Sequence, residues 1–308
     1  MPRIVITEFM DTDAVEWLSS RLDTHYGPTL VDEPDKLAPL LADCEALIVR
    51  NRTQVRPELL EQAPGLKVVG RLGVGLDNID QPACAERGVQ VIPATGANAL
   101  AVAEYVICTA MMLLRGAYLS SDRVAAGEWP RPALSRGREL AGKTLGLAGF
   151  GGIGQLTAKL ARGLGMETVA YDPYIEADAP VLAQTGTRLL DMDGLLAESD
   201  VISLHIPLTD ETRNLFDAER IAAMRGGAVL INSARGGIID EFALARALKD
   251  GHLAGAALDV FDKEPLAAGS VLADVPNLVL TPHIAGVTEE SNTRVSRLIA
   301  ERVAEALG

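Results

Sequence analysis

Short apolar runs alternate along the whole chain with longer stretches in which apolar residues recur at helical spacing. In the first third, Ile4-Val5-Ile6, Ala46-Leu47-Ile48-Val49 and Leu66-Lys67-Val68-Val69 are short and nearly continuous, and read as buried strands. Residues 13–22 and 34–41 read as helices between them. A second series begins at Lys143, with strands predicted over 144–148, 168–171, 201–204, 228–231, 255–258 and 278–280. Strands that alternate with helices favour parallel sheets covered on both faces. The six strands of the second series suffice for a full doubly wound sheet.

Between the two series, residues 99–114 form a long apolar helix candidate. Gly127-Glu-Trp-Pro-Arg-Pro-Ala133 follows it and reads as an exposed loop or arm. Residues 291–307 are helical in pattern. No repeat and no low-complexity tract interrupts this order. The expected class is α/β: a Rossmann-type doubly wound parallel sheet beside a second, smaller α/β unit. A length of 308 residues accommodates two such units.

Composition narrows the partners. The longest near-apolar run, Tyr105 to Leu114, is far short of the ~18 residues a membrane helix needs. With 28 Lys+Arg against 42 Asp+Glu the net charge is −14, which repels phosphate backbones and acidic lipid, so neither nucleic acid nor membrane is an expected partner. The first residues lack the apolar segment and cleavage site of a secretion signal. Cys44, Cys84 and Cys108 form no CxxC pair, and a reducing, cytoplasmic setting is the expectation.

Gly149-Phe150-Gly151-Gly152-Ile153-Gly154 fits G-x-G-x-x-G between a predicted strand and a helix expected over 155–164. Such glycines permit a tight turn, close approach of backbone to a pyrophosphate, and close helix–strand packing. Unpaired N–H groups at the helix start then face the phosphates. Asp172 follows the next predicted strand, where a carboxylate accepts hydrogen bonds from the adenosine ribose and repels a 2′-phosphate. The pattern points to NAD rather than NADP. No metal is expected.

Of four histidines, His25 and His252 fall in polar stretches read as turns, and His205, with Pro207, is a candidate wall of the nucleotide crevice. His283 lies in Thr281-Pro-His-Ile-Ala-Gly286, after the last predicted strand. Arg235 follows the 228–231 strand and Glu264 the 255–258 strand. Strand C-terminal ends line the ligand crevice of a doubly wound sheet, so three chemically useful groups reach one edge. A guanidinium can grip a carboxylate, an imidazole can move a proton, and a carboxylate beside it favours the protonated ring. Taken singly, each has a bland reading: an arginine capping a helix, a surface glutamate, a histidine in a turn. Their convergence favours hydride transfer.

At these residues the chain resembles the D-isomer-specific 2-hydroxyacid dehydrogenase family. The resemblance rests on Gly149 to Gly154 with Asp172, on Asn232 to Asp240, on Asp259-Val-Phe-Asp-Lys-Glu-Pro265 and on Thr281 to Gly286. It implies a catalytic set of Arg235 as carboxylate binder, Glu264 as partner of the histidine, and His283 as general acid/base. It adds Ala234 and His283 to the cofactor contacts and gives Asp259 the nicotinamide carboxamide. It also implies a discontinuous substrate-binding domain, 1–98 plus 286–308, interrupted by an NAD-binding domain, 99–285, and a homodimer built on the helix from Ala99.

Arg71 to Asp80 and Asn98 to Glu104 are similar to the phosphoglycerate dehydrogenase branch. The implied substrate residues are Arg50, Asn51, Arg52, Gly73, Val74, Gly75, Asn98, Arg131 and Arg235. Asn51 and Arg52 stand where that branch commonly has Ser and a small residue, and Val74 where Thr is frequent. Because nothing follows Gly308, an appended regulatory domain is not expected. The cations suit a three-carbon substrate with an anion at each end, 3-phosphoglycerate or 3-sulfolactate. The alternatives are hydroxypyruvate or glyoxylate reduction, and an NAD(H)-sensing corepressor-like protein without turnover.

Overall fold

The computed structural model describes residues 3–308. Two compact units divide the chain: residues up to Asn98 together with Val287–Gly308, and Ala99–Gly286. The first unit runs β1 (Ile4–Ile6), α1 (Thr12–Ser19), β2 (Thr24–Tyr26), α2 (Pro34–Leu41), β3 (Ala46–Val49), α3 (Pro57–Gln62), β4 (Val68–Arg71), α4 (Gln81–Glu86) and β5 (Gln90–Pro93). Its five strands pair in parallel in the order β2-β1-β3-β4-β5. The helix Glu289–Leu307 returns to this unit and buries Ile299 and Val303 in the core with Ile4 and Ile48. Thr288 and Ser291 start that helix with a reciprocal capping box, two residues earlier than the pattern suggested.

β2 and β5 are absent from the strands read in the sequence. Both are edge strands, half-buried or exposed, and lack the continuous apolar run of a central strand. His25 therefore lies in β2, where it pairs with Val5, and not in a turn.

The second unit comprises α5 (Ala99–Arg115), α6 (Ser121–Ala125), α7 (Arg131–Leu134), β6 (Thr144–Ala148), α8 (Gly152–Gly163), β7 (Glu167–Tyr171), α9 (Pro180–Thr185) and β8 (Arg188–Leu189). It continues through α10 (Met192–Glu198), β9 (Val201–Leu204), α11 (Ala218–Ala223), β10 (Val229–Asn232), α12 (Glu241–Lys249), β11 (Gly255–Leu258) and β12 (Leu278–Leu280). Seven parallel strands lie in the order β12-β11-β10-β9-β6-β7-β8. The two-residue β8 is the extra strand, too short to leave a pattern.

Alternate residues of each central strand feed opposite layers. Ile202 and Leu204 pack toward the cluster holding Leu195, Ile221 and Leu244, whereas Val201 packs with Val106, Leu113 and Ala158 on the α5 and α8 side. Each sheet reverses its winding at one place, between β1 and β3 in the first unit and between β6 and β9 in the second. Ligand crevices of open α/β sheets open at such switch points. The proline-rich arm contains the single turn α7, whose Pro132 falls in the first helical turn and needs no N–H there. Among the described residues, no helix is long and apolar enough to cross a membrane.

Candidate active site

At the switch point of the larger sheet the chain leaves β6 through Gly149 at φ 93°. A Cβ on Gly149 would lie 2.5 Å from the carbonyl oxygen of His205, the residue after β9. A Cβ on Gly154 would lie equally close, 2.5 Å, to the carbonyl oxygen of Gly149. Only glycine permits either approach. Gly151 and Gly152, by contrast, have nothing within 4 Å of a Cβ position. Together with Ile153 they form the first turn of α8, which starts on the glycine loop itself rather than at residue 155 and has no side-chain cap. An open, uncapped helix N-terminus of this kind fits a pyrophosphate.

Asp172 follows β7 and is tied to the same loop. Its Oδ2 accepts from the Phe150 N–H at 2.8 Å and its Oδ1 from the Tyr174 N–H at 3.0 Å. Lone pairs remain on both oxygens for ribose hydroxyls. Across the switch point, the His205 N–H donates to the Ala148 carbonyl at 2.7 Å, and burial pushes the imidazole pKa down to about 4. Its Nε2 is shut from solvent and has no partner among the described residues. Pro207 follows, exposed, with its carbonyl accepting from the Thr212 hydroxyl at 2.7 Å. The cradle, the carboxylate and the orphaned ring nitrogen together fit a dinucleotide.

Further along the same sheet edge, three strand ends carry the chemistry. Asn232 closes β10 and is 2% exposed. Its Oδ1 accepts from the Ala234 N–H at 3.0 Å and its Nδ2 donates to the Arg235 carbonyl at 2.8 Å, which fixes the turn. Arg235 Nη1 donates to the Ala234 carbonyl at 2.6 Å. Past β11, Glu264 accepts from the Phe261 N–H through Oε1 at 3.1 Å and meets His283 Nδ1 through Oε2 at 2.7 Å. Their side chains are 37% and 48% exposed, so the pair faces solvent on one side. Nδ1 thus donates to the carboxylate, and Nε2 is the nitrogen left for a substrate. The structure brings Glu264 and His283 into contact and sets Arg235 on the adjoining strand end.

Asp259, 1% exposed, is engaged by the turn that carries His283. Oδ1 accepts from the Thr281 hydroxyl at 2.6 Å and the Ile284 N–H at 2.8 Å, and Oδ2 from the Ala285 N–H at 2.7 Å. Among the described residues, no cluster of His, Cys, Asp or Glu could hold a metal ion.

In the first unit the switch point is occupied by a buried carboxylate that the sequence pattern did not single out. Glu8, 4% exposed, accepts from the N–H groups of Arg50 at 2.9 Å, Thr53 at 3.0 Å and Arg52 at 3.1 Å. Burial raises its pKa, but the hydrogen bonds from Thr53, Arg50 and Arg52 outweigh it and leave the carboxyl below its ordinary 4.5. Asn78 Nδ2 holds the loop from the other side, donating to the Thr53 carbonyl at 2.7 Å. A lone Glu after the first strand and an Asn inside a Gly-rich segment were the only signals available.

The loop's side chains differ in what they meet. Arg50 donates to the neutral Asn292 Oδ1 at 2.8 Å and sits 5.7 Å from the Phe9 ring centre. Arg52 is held by both oxygens of Asp32, so its charge is already countered. Asn51 is exposed. Gly73 is buried under the Arg71 side chain, Val74 is exposed, Gly75 half-buried, and Asn98 has a buried Oδ1 with no partner among the described residues. Arg131, in the second unit, is exposed at the start of α7.

Comparison with known proteins agrees with this geometry. Residues 107–285 match the family described as "D-isomer specific 2-hydroxyacid dehydrogenase, NAD binding domain". The (S)-sulfolactate dehydrogenase of Chromohalobacter salexigens is 53% identical over 308 residues, covering 100% of this chain and 99% of that one. D-3-phosphoglycerate dehydrogenase 2 of Arabidopsis thaliana is 42% identical over 307 residues, 99% of this chain, but the chain spans only 48% of that protein's length. The solved TT0316 protein of Thermus thermophilus superposes with a TM-score of 0.88 at 35% identity, covering 99% of this chain and 96% of that one. This chain belongs to the D-isomer-specific 2-hydroxyacid dehydrogenase family, as an oxidoreductase with an NAD-binding domain.

Proposed function

We propose that the protein oxidises a three-carbon D-type 2-hydroxy acid bearing a second anion, with (S)-sulfolactate the first candidate and 3-phosphoglycerate the second. The observation that carries the chemistry is the 2.7 Å pair between His283 Nδ1 and Glu264, one strand away from Arg235. NAD, when bound, would supply the hydride acceptor; the loop Gly149, Gly151, Gly152, Ile153 and Gly154 would hold it, with Asp172 toward the ribose and His205, Pro207 and Ala234 along the crevice. Among the described residues Asp259 Oδ2 has a single protein donor, which leaves a lone pair for the nicotinamide carboxamide.

Arg235 grips the substrate carboxylate and polarises the C2 oxygen. As the C2–H bond breaks, His283 Nε2 takes the hydroxyl proton and the C–O bond becomes a carbonyl. Glu264 stabilises the imidazolium that forms. Reduction of the 2-oxo acid runs the same steps backwards, with His283 as the acid.

The family resemblance assigns the substrate's distal anion to residues of the first unit. Arg50, whose head meets a neutral amide, is the better candidate for the distal anion, whereas Arg52 must release Asp32 to serve. Asn51, the Gly73-Val74-Gly75 segment, Asn98 and Arg131 complete the set. Likeness to the Chromohalobacter enzyme along its full length supports sulfolactate over phosphoglycerate. The three cysteines are free, which supports a cytoplasmic setting. An apolar groove of about 830 Å³ on α5 and α8, lined by Ile107, Met111 and Leu164, supports a homodimer in which a second copy covers it.

Initial rates at the NADH absorbance, its rise in oxidation and its fall in reduction, decide among the readings. The expected result is that (S)-sulfolactate exceeds 3-phosphoglycerate in kcat/KM for oxidation, and that hydroxypyruvate and glyoxylate are reduced at least 10-fold less efficiently than 3-sulfopyruvate, as the loss of one charged contact implies. Tight NADH binding without turnover of any 2-hydroxy acid would favour the sensing reading.

A further inference from the structure

Tyr105 stands on α5, yet its hydroxyl lies 2.7 Å from Thr281 Oγ1 in the turn after β12. Thr281 lies 2.6 Å from Asp259 Oδ1. Proton counting gives this chain a direction. Asp259 also receives the N–H groups of Ile284 and Ala285, so it is an acceptor, and the one proton of Thr281 goes to it. Tyr105 is then the donor to Thr281. Burial of the phenol pushes its pKa up to about 12, which keeps that proton in place.

The chain holds an uncommon piece of backbone. His283 sits at φ 57°, a left-handed conformation that costs a residue with a Cβ about 1 kcal/mol or more. Asp259 is bound to the turn on both sides of His283, at Thr281 before it and at Ile284 and Ala285 after it. Glu264 bonds the imidazole ring and, among the described residues, makes no hydrogen bond to that backbone. Tyr105 donates into the same Thr281 oxygen that gives its proton to Asp259, so it holds that side chain from the other side and strengthens its bond to the carboxylate.

We infer that Tyr105 is a positioning residue for the His283 acid/base, fixing through Thr281 and Asp259 the turn from which the imidazole projects. The inference rests on the role proposed for His283 above. The Tyr105 ring also packs against the α5 and α8 core, and Tyr105→Phe keeps that packing while removing the hydroxyl.

Four variants test it: Tyr105→Phe, Thr281→Val, Thr281→Ser and the Tyr105→Phe/Thr281→Val pair. Tyr105→Phe should lower kcat by roughly 3- to 10-fold, with substrate KM and NADH Kd within about 2-fold, because a misplaced proton acceptor affects the chemical step. Thr281→Val should cost more, Thr281→Ser should restore kcat to within about 2-fold, and the pair should be no worse than Thr281→Val alone. In the cofactor-free protein, hydrogen exchange of the Ile284 and Ala285 amides should quicken by about 10-fold in Tyr105→Phe, while β6 amides stay unchanged. Wild-type kcat, unchanged exchange, or additive effects in the pair would each overturn the inference. If the wild-type protein turns over no 2-hydroxy acid, the role of His283 fails first, and the exchange measurement still judges the turn.

Discussion

Replacing Asp172 separates the loop contacts that its carboxylate makes from the ribose contact proposed for it. The carboxylate receives the Phe150 and Tyr174 N–H groups at 2.8 and 3.0 Å, and its remaining lone pairs are those proposed for the adenosine ribose. Two ribose hydroxyls donating to a half-exposed carboxylate contribute about 2–3 kcal/mol, near the low end for charged acceptors. Asp172→Ala should therefore weaken NADH by roughly 30- to 150-fold. A 2′-phosphate at ~4–5 Å in a largely solvated site would meet about 1–2 kcal/mol of repulsion for each of its charges, and the same variant relieves it. Loosening of the glycine loop, where Phe150 loses its acceptor, penalises both cofactors alike. The ratio of NADPH to NADH dissociation constants, from fluorescence titration, isolates the ribose contact and should fall by roughly 10³-fold. Asp172→Asn keeps an oxygen for Phe150 and should show a smaller fall in that ratio with a sturdier loop. Equal losses for the two cofactors would refute the reasoning, because they would leave Asp172 with the loop alone.

Other outcomes follow from the same geometry. His283→Asn should reduce kcat by about 10³-fold or more while NADH affinity stays within about 3-fold, and retained turnover would remove its proposed role. Arg50→Ala should raise the KM of sulfolactate about 10-fold or more, against a few-fold for Arg52→Ala, whose guanidinium is engaged by Asp32; the reverse order would move the distal site to Arg52. Glu8 has a folded pKa below its ordinary 4.5, so its stabilisation is present above that pH and fades as pH falls through the folded value. Melting curves of wild type and Glu8→Gln should differ at pH 7 and converge in acid, and a gap that widens in acid would contradict this.

The central strands and the glycine loop were legible because burial on both faces leaves continuous apolar runs, and because a close backbone approach admits only glycine. Edge strands β2, β5 and β8 were not, since exposure dilutes the same signal. Arg235, Glu264 and His283 could be found as residues following strands, a consequence of parallel topology. The Glu264–His283 contact was implied by the resemblance alone, and the hydrogen bonds around it could not be read at all. Asp259 clamping the His283 turn, Tyr105 reaching it from α5, and Glu8 gathering the 50–53 loop each join residues more than twenty positions apart. No local pattern encodes such a meeting. Arg52 illustrates the complementary limit: its charge was evident, but its neutralisation by Asp32 depends on where a short 3₁₀ turn places that carboxylate.

Hydride transfer itself is the claim on which the rest depends, and isotope tracing addresses it without reference to any variant. (S)-Sulfolactate deuterated at C2 would be oxidised with NAD, and the dinucleotide product examined by mass spectrometry and proton NMR. The account predicts one deuterium per NADH formed, carried on C4 of the nicotinamide, with none washed into solvent. NADH that binds but never forms, or NADH that carries solvent hydrogen instead, would contradict it.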